Sequence, residues 1–298
     1  MFVDCLNKAR PFVMMHGRQL ERSLFQHLFD GGSAESVHMA LREYINPDGG
    51  YGKALEPDVR CSDSYPAAVD TAFEILELTG GMANSNIQMY MVHPACDFLE
   101  TITTPEGGVP FSLPVVNTYP HAPWWECEEN PPASLNPTAA IAGRLRWFGI
   151  NHTWAEPAVA FCRKAIEGNE SKQFHDLMPV ITFLESLVCD SWADEQLARL
   201  AVRISRPGVV EMDPQASGYV KMPLDWAPFS QSFCRPLFDD AIISRHLAAL
   251  AARQQADGGW LITWQALSSD AEMEWRGWVT IRALRTLRSY EWAGFVVT

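Results

Sequence analysis

An acidic residue followed by two glycines and an apolar residue occurs three times in this chain. The three copies are Asp48-Gly49-Gly50-Tyr51, Glu106-Gly107-Gly108-Val109 and Asp257-Gly258-Gly259-Trp260. Each follows a helix-like stretch, and paired glycines allow a positive φ and a close backbone approach. We therefore expect tight turns at helix ends, each with its apolar residue packed against a neighbouring element. Such units cannot bury their apolar faces alone, so the pattern predicts helical pairs that stack and, being few, close into a ring.

The composition fits one large helical domain. The chain has 298 residues, of which 47% are hydrophobic and 20% are charged, enough apolar material for a sizeable core. We predict an all-α fold, an α/α toroid of inner and outer helices with Gly-Gly turns and two long irregular loops. The toroid is expected to be a single domain over residues 1–298, with an N-terminal helix at about 12–29 and repeat units over about 33–290.

The charge balance argues against several kinds of partner. Acidic residues number 36 against 23 basic ones, and the formal charge of −13 disfavours nucleic acids and anionic membrane surfaces. No apolar run approaches the roughly 20 residues that span a bilayer, so no integral membrane segment is expected. The first residues lack the basic and then apolar pattern of a secretion signal, and we expect a cytoplasmic protein. The sequence does not indicate an oligomeric state.

Cysteines and histidines are scattered along the chain. The seven cysteines include no Cys-x-x-Cys pair, and the eight histidines include no His-x-x-x-His pair. We expect reduced, mostly buried thiols and no metal site of the usual zinc or calcium patterns.

Apolar residues at spacings of three and four predict further helices. These are at about 33–44, 66–78, 84–101, 136–148, 153–166, 173–188, 191–204, 237–255 and 272–290. Two stretches between them, residues 104–135 and 207–236, are irregular and rich in proline and aromatic residues. Because binding residues concentrate on ordered loops of this kind, we expect both stretches to border a functional site.

The last copy of the repeat carries the closest motif. Gln254-Gln255-Ala256-Asp257-Gly258-Gly259-Trp260 resembles the Gln-Trp repeat of terpenoid cyclases, of the squalene–hopene cyclase type, and of protein prenyltransferase β subunits. Residues 46–52 and 104–111 are similar but degenerate copies. The resemblance implies an α/α toroid and a terpene cyclase-like enzyme, an isomerase or lyase of isoprenoid biosynthesis with a small hydrophobic substrate. The Asp-x-Asp-Asp motif that supplies the acid of class II cyclases is absent from this sequence.

A dense polar segment with Glu56, Asp58, Arg60 and Asp63 follows the first Gly-Gly turn, and Asp70 lies further on among small apolar residues. In a toroid this segment leads into an inner helix, where a carboxyl group is partly desolvated and its pKa rises. We predict that Asp58 or Asp63 is a general acid, with Asp70 as the next choice. Glu56 is a further catalytic candidate, and Arg60 would orient the acid or a substrate anion. The alternative is a capped helix start with a surface ion pair at Arg60.

Other polar and aromatic residues are expected near the same cavity. The further substrate-binding candidates are His175, Asp176, Glu274, Trp275, Arg276, Trp124, Trp125 and Trp226. The first five lie at predicted starts of inner helices, where a cap or a surface ion pair is the alternative role. The tryptophans could stabilise a carbocation, stack on a sugar ring or fill gaps between helices.

Asp239-Asp240 is a local pattern that suggests a metal. It resembles the start of the Asp-Asp-x-x-Asp motif that binds magnesium diphosphate, but Ile243 stands in place of the last carboxylate. Two carboxylates at a helix N-terminus, favoured by the helix dipole, are the alternative. We expect no cofactor, with Mg²⁺ bound only if the substrate is a diphosphate.

Two other functions are compatible with the sequence. A carbohydrate-active α/α-barrel enzyme, a hydrolase or a lyase, would use paired carboxylates on the same kind of ring. A non-catalytic binding or scaffold toroid would have a centre filled by side chains and an exposed apolar patch outside it. A polar open cleft favours the carbohydrate enzyme, and a closed apolar pocket favours the terpenoid cyclase.

Overall fold

The computed structural model describes residues 1–295, and helices dominate that range. Isolated β-bridges join Ile45 to Tyr51 and Val59 to His121, and the described residues form no continuous strand. The predicted all-α fold is confirmed. The closure of the helices into one toroid domain stays a prediction. None of the helices in residues 1–295 combines the length and apolar character that a membrane crossing requires.

The chain divides into two compact units. The first combines Met1–Asp30 with the residues from Arg199 onward, and the second is Gly31–Ala198. In chain order, the helices are α1 (Phe2–His16), α2 (Gln19–Phe29), α3 (Ala34–Arg42), α4 (Pro66–Leu78), α5 (Ser85–Ile87), α6 (His93–Thr101), α7 (Leu135–Trp147), α8 (Ala155–Glu167), α9 (Phe174–Glu185), α10 (Ser191–Ile204), α11 (Pro223–Trp226), α12 (Asp240–Ala252) and α13 (Ser269–Trp292). A π-helical segment, Gln88–Val92, joins α5 to α6, so the helix predicted over 84–101 is present as a continuous segment of mixed type.

The single N-terminal helix predicted over 12–29 is wrong, because two helices, α1 and α2, cover this region. Gly17 separates them with an extended backbone (φ −66°, ψ 150°). At the start of α2, the Glu21 carboxylate accepts the Arg18 N–H at 3.0 Å. A carboxylate in this position satisfies a backbone donor that has no partner within the helix. In the same unit, α13 packs against both helices.

In the second unit, α7 packs against α4, α8 and α9. Small residues on α7 allow these close contacts, and Ala139 and Ala140 are buried, as the sequence predicts. At Gly143 the backbones of α7 and α9 nearly touch, because a Cβ there would lie 2.8 Å from Phe183 Cα. This contact fixes the position of α7, which carries Arg144, relative to α9, which carries Glu185.

The three Gly-Gly turns share one hydrogen-bond pattern, a few residues after a helix ends. The residues that begin the turns are Asn46, Thr104 and Gln255. Each donates its N–H to the carbonyl of the second glycine at 2.8–2.9 Å and accepts the N–H of the first glycine at 2.9–3.0 Å. The first glycines have φ of 85–95°, and the apolar residues Tyr51, Val109 and Trp260 are buried. The predicted tight turns, each with a buried apolar residue, are confirmed.

Each turn also docks onto another helix in the same way. The contacting pairs are Pro94 and Phe98 on α6, Pro157 and Phe161 on α8, and Lys8 and Phe12 on α1. In every pair the carbonyl of the first residue faces the first glycine, and the aromatic ring one turn later faces the second glycine. A Cβ on the first glycine would lie 2.0–2.7 Å from that carbonyl oxygen. The turns therefore need glycine for space as well as for φ.

The two predicted irregular stretches are confirmed, with short helical turns inside them. The first contains 3₁₀ turns at Pro114–Thr118 and Pro123–Trp125, and the second contains α11 and a 3₁₀ turn at Arg235–Leu237. The seven cysteines of the chain are all free thiols, five of them buried.

Candidate functional site

Three carboxylates line one face of α4. Asp70, Glu74 and Glu77 are spaced four and three residues apart, which places them on the same side of a helix. Arg144 of α7 donates from Nη1 to Asp70 and from Nε to Glu77 Oε2, the latter at 2.9 Å. The Arg144 side chain is 10% exposed, against 25% for Asp70 and 41% for Glu77. One nearly buried guanidinium is therefore shared between two more exposed carboxylates.

Two further carboxylates lie beside this face. Thr71, next to Asp70 in the chain, donates its hydroxyl to Glu56, the first acidic residue of the predicted polar segment. Glu185, at the C-terminal end of α9, is near enough to Glu77 for their charges to interact. We name the whole group the Asp70 cluster. Its members are Glu56, Asp70, Thr71, Glu74, Glu77, Arg144 and Glu185.

The surroundings of Asp70 favour its protonated form. Burial raises the pKa of Asp70 to about 6; Arg144 opposes this rise, and the charges of Glu74 and Glu77 add to it. Burial also raises the pKa of Glu185, with a contribution from the charge of Glu77. A carboxyl group with a pKa near 6 holds a proton much closer to neutral pH than an ordinary aspartate with a pKa near 4. Asp70 is therefore suited to general acid or base catalysis.

The polar segment that contains Asp58 is paired with the first irregular stretch. Arg60 donates its N–H to the Pro120 carbonyl at 2.8 Å, and Ala122 donates its N–H to the Asp58 carbonyl at 2.9 Å. Asp58 is only 4% exposed. Asp58 is therefore closed to a substrate in this arrangement of the chain.

Asp63, the other first choice for the acid, lies at the protein surface. It accepts a hydrogen bond from the Tyr119 hydroxyl at 2.7 Å, and the same hydroxyl lies 2.8 Å from the Ser62 hydroxyl. Asp63 thus fastens the irregular stretch to the polar segment. At Asp70, by contrast, burial raises the carboxyl pKa towards the range that general acids use.

The predicted tryptophans differ in exposure. Trp125 is 4% exposed, stacks on Phe111 with ring centroids 4.8 Å apart and meets Tyr65 edge-on at 5.7 Å. Its neighbour Trp124 is 49% exposed. In the first unit, Trp226 is 1% exposed and fills the core. The gap-filling role therefore describes Trp125 and Trp226, whereas the ring of Trp124 is open to a ligand.

Arg276 has a structural role in place of the predicted substrate contact. Its Nη2 lies 2.8 Å and 2.7 Å from the two carboxylate oxygens of Asp257, and its Nε donates to the Trp260 carbonyl at 3.2 Å. The guanidinium also lies over the Phe12 ring, 4.6 Å from its centroid, and the residue is 7% exposed. Arg276 therefore holds the third Gly-Gly turn against α1.

The other predicted helix-start residues have local partners. On α13, Trp275 follows Glu274 and meets Trp264 edge-on, with ring centroids 5.3 Å apart. In the first turn of α9, Asp176 accepts the Ser171 hydroxyl at 2.5 Å, and the exposed His175 meets the Phe174 ring at 5.2 Å. Asp176 therefore ties the residues before α9 to the first turn of the helix, although the N-cap position belongs to Gln173.

Asp239 and Asp240 stand at the start of α12. Asp239 occupies the N-cap position, and Asp240 is 81% exposed and paired with Arg235. Carboxylates at this end are favoured by the helix dipole. The position of this pair agrees with the helix-start alternative, and the role of a diphosphate-metal ligand stays a prediction.

A cluster that the sequence did not reveal contains Asp97, Glu100 and His152, whose ligand atoms lie within 4.8 Å of one another. His152 Nε2 is 3.0 Å from Asp97 Oδ1, and His152 Nδ1 accepts the Trp154 N–H at 3.1 Å. A neutral imidazole whose Nδ1 accepts a hydrogen bond carries its proton on Nε2. Nε2 then donates to Asp97 and has no lone pair for a metal, so the group is a hydrogen-bonded histidine–carboxylate pair.

Sequence reasoning found Asp70 and Glu56 but missed Arg144, Glu77 and Glu185. Arg144 follows a run of small apolar residues on α7, and a charged side chain in such a run signals a buried carboxylate partner. Which carboxylate it meets depends on how α4 and α7 pack, and the local sequence does not state this.

No protein-family model matches this chain. A comparison with curated proteins also finds no match.

Proposed function

We propose that this chain is a terpene cyclase-like enzyme that uses Asp70 as a general acid on an isoprenoid-derived substrate. The observation that carries the proposal is the position of Asp70 on α4, a quarter exposed, paired with Arg144 and with a pKa raised to about 6. General acids work best when their pKa lies near the operating pH. The resemblance of residues 254–260 to the Gln-Trp repeat supports the substrate class.

The strength of the acid favours a substrate that carries an oxygen atom. Protonation of an epoxide or of an allylic hydroxyl group needs a weaker acid than protonation of an isolated alkene. After proton transfer, Arg144 would stabilise the Asp70 carboxylate, and the remaining carboxylates of the cluster would stabilise positive charge that develops on the substrate. A cytoplasmic location is part of this proposal, and the seven free cysteines support it.

The test is turnover of a defined substrate panel by the purified protein. The panel contains 2,3-oxidosqualene, epoxyfarnesol and geranylgeranyl diphosphate, with and without Mg²⁺, and products are identified by gas chromatography and mass spectrometry. We expect conversion by the wild type and a loss of about 100-fold or more in Asp70→Asn. Asp63→Asn, the surface comparison, should retain most of the activity. Loss of turnover in Asp63→Asn or Asp58→Asn, with Asp70→Asn fully active, would move the acid to the polar segment.

A carbohydrate-active hydrolase or lyase is the second candidate, because the Asp70 cluster is polar and acidic instead of apolar. Two carboxylates near each other are the usual catalytic pair of glycosidases. The same variants tested on oligosaccharides distinguish the two classes. Conversion of oligosaccharides alone would place the carbohydrate function first, and no conversion in either class would favour a non-catalytic scaffold.

A further inference from the structure

The Arg144 side chain is divided between two carboxylates. Its Nη1 donates to Asp70, and its Nε donates to Glu77 at 2.9 Å. The two carboxylates lie seven residues apart on α4, two helical turns along the same face. Arg144 therefore bridges the face lengthwise, and each carboxylate limits how the guanidinium can serve the other.

Only part of the negative charge at this place is balanced by Arg144. On α4, Glu74 and Glu77 both act on Asp70 by charge, and from α9 Glu185 interacts with Glu77. The loop before α4 contributes Glu56, which Thr71 holds. Arg144 is the cation that Asp70 and Glu77 share, so its position decides how its charge is divided between these two carboxylates.

The helix packing limits the movement of Arg144. The preceding residue is Gly143, where a Cβ would lie 2.8 Å from Phe183 Cα and 2.9 Å from the Thr182 carbonyl oxygen. Because α7 meets α9 through its backbone here, α7 cannot rotate without a clash. The guanidinium is thus directed towards α4, where its remaining freedom lies between Asp70 and Glu77.

We propose that Arg144 is a positioning residue for Asp70 and that Glu77 competes with Asp70 for it. This inference rests on the proposed function, in which Asp70 is the acid. When Glu77 is neutral, or accepts a hydrogen bond from a substrate, more of the Arg144 charge serves Asp70. Asp70 then becomes a stronger acid, and binding of a substrate to Glu77 prepares the proton transfer.

The test measures the titration of Asp70 in the free protein by carboxyl ¹³C NMR, with the signal assigned by its loss in Asp70→Asn. Glu77→Gln removes a competing charge, and we expect the midpoint of Asp70 to fall by about half a pH unit or more. Arg144→Lys keeps the positive charge but loses the separate Nε and Nη1 donors of the guanidinium, and the midpoint of Asp70 should rise by a similar amount. Glu156→Gln on α8 is the control and should leave the midpoint unchanged.

Shifts in opposite directions are the decisive result, because general destabilisation of the fold would not produce them. The proposal would be overturned if the Asp70 midpoint moved in the same direction in both variants, or moved in neither. If Arg144→Lys fails to fold, Glu77→Gln still decides, since Glu77 is 41% exposed and its amide is nearly isosteric. The NMR titration needs no substrate. Opposite shifts without any turnover would therefore refute the proposed function, and with it the catalytic consequence, but would leave the competition of Glu77 and Asp70 for Arg144 intact.

Discussion

Arg276 contacts both carboxylate oxygens of Asp257, at 2.8 Å and 2.7 Å, across the third Gly-Gly turn. The pair joins the first part of α13 to the turn, and Arg276 continues over the ring of Phe12 on α1. The turn, the helix that follows it and the distant N-terminal helix α1 therefore meet at one guanidinium. The arrangement explains why a charged residue is buried in this unit: its charge is paired, and its flat face packs on an aromatic ring.

Arg276→Met should destabilise the protein by about 2 kcal/mol. The substitution keeps much of the apolar stem but removes the partner of Asp257 and the donor to the Trp260 carbonyl, and lost hydrogen bonds to charged groups carry a cost of this size. The free energy of unfolding in urea is the measurement. Arg282→Met, an exposed position on the same helix, is the control and should change stability little. A similar loss in both variants would contradict the structural role of Arg276.

The first glycine of each turn should tolerate no side chain. In Gly258→Ala, the new Cβ would lie 2.0 Å from the Lys8 carbonyl oxygen at a φ of 95°, so we expect a loss of about 3 kcal/mol or more. Gly168→Ala is the matched control, because nothing lies within 4 Å of its Cβ and its φ of −93° suits alanine. That variant should be neutral or slightly stabilised. Thermal unfolding of both variants, followed by circular dichroism, checks the difference.

The Gly-Gly turns show which structural features can be predicted from local sequence. The acidic residue, the glycine pair and the apolar residue predict a tight turn and a buried side chain, because both depend on φ and hydrophobicity. The helices that receive the turns could not be predicted. Two of the receiving residues are prolines, Pro94 and Pro157, and the third is Lys8, and in each case the atom nearest the glycine is a backbone carbonyl oxygen, which every residue type has. The break at Gly17 was missed for a related reason, because apolar spacing continues on both sides of it.

In the Asp70 cluster, too, some features could be predicted from local sequence and others depend on how distant segments pack. Asp70 was predicted from a carboxylate among small apolar residues, and its partial burial and raised pKa agree with that reasoning. The order of preference among Asp58, Asp63 and Asp70 could not be obtained, because it depends on the burial of Asp58 and on the Tyr119 contact to Asp63. Arg144 enters the site from a helix more than 70 positions later in the chain.

Thr138 should be essential for the second turn. The Val109 N–H donates to its hydroxyl at 3.0 Å, and the same hydroxyl donates to the Val109 carbonyl at 3.1 Å, with the threonine fully buried. In Thr138→Val, the buried Val109 N–H loses its partner, whereas the Val109 carbonyl still accepts the Ser134 N–H at 2.9 Å, and we expect a loss of about 2 kcal/mol. Thr138→Ser keeps the hydroxyl and should lose clearly less. If the two variants were equally destabilised in urea, the methyl group and not the hydrogen bonds would be the important part.

Asp70 should make stability fall as the pH rises from about 4 to about 6. Its pKa is raised by burial from 3.8 to about 6 in the folded protein, so the folded state binds the proton more tightly than the unfolded chain does. The resulting stabilisation is complete below the unfolded value and is lost as the pH rises through the folded value. The difference between the folded and unfolded pKa values corresponds to at most about 3 kcal/mol of stability.

The variant Asp70→Asn tests this prediction. It cannot titrate and should lack the pH-dependent component, whatever constant cost it incurs through the altered contact with Arg144. Urea unfolding of both proteins at several pH values gives the difference in free energy. That difference should change in favour of Asp70→Asn as the pH rises, and a difference independent of pH would show that the folded protein does not hold the proton on Asp70.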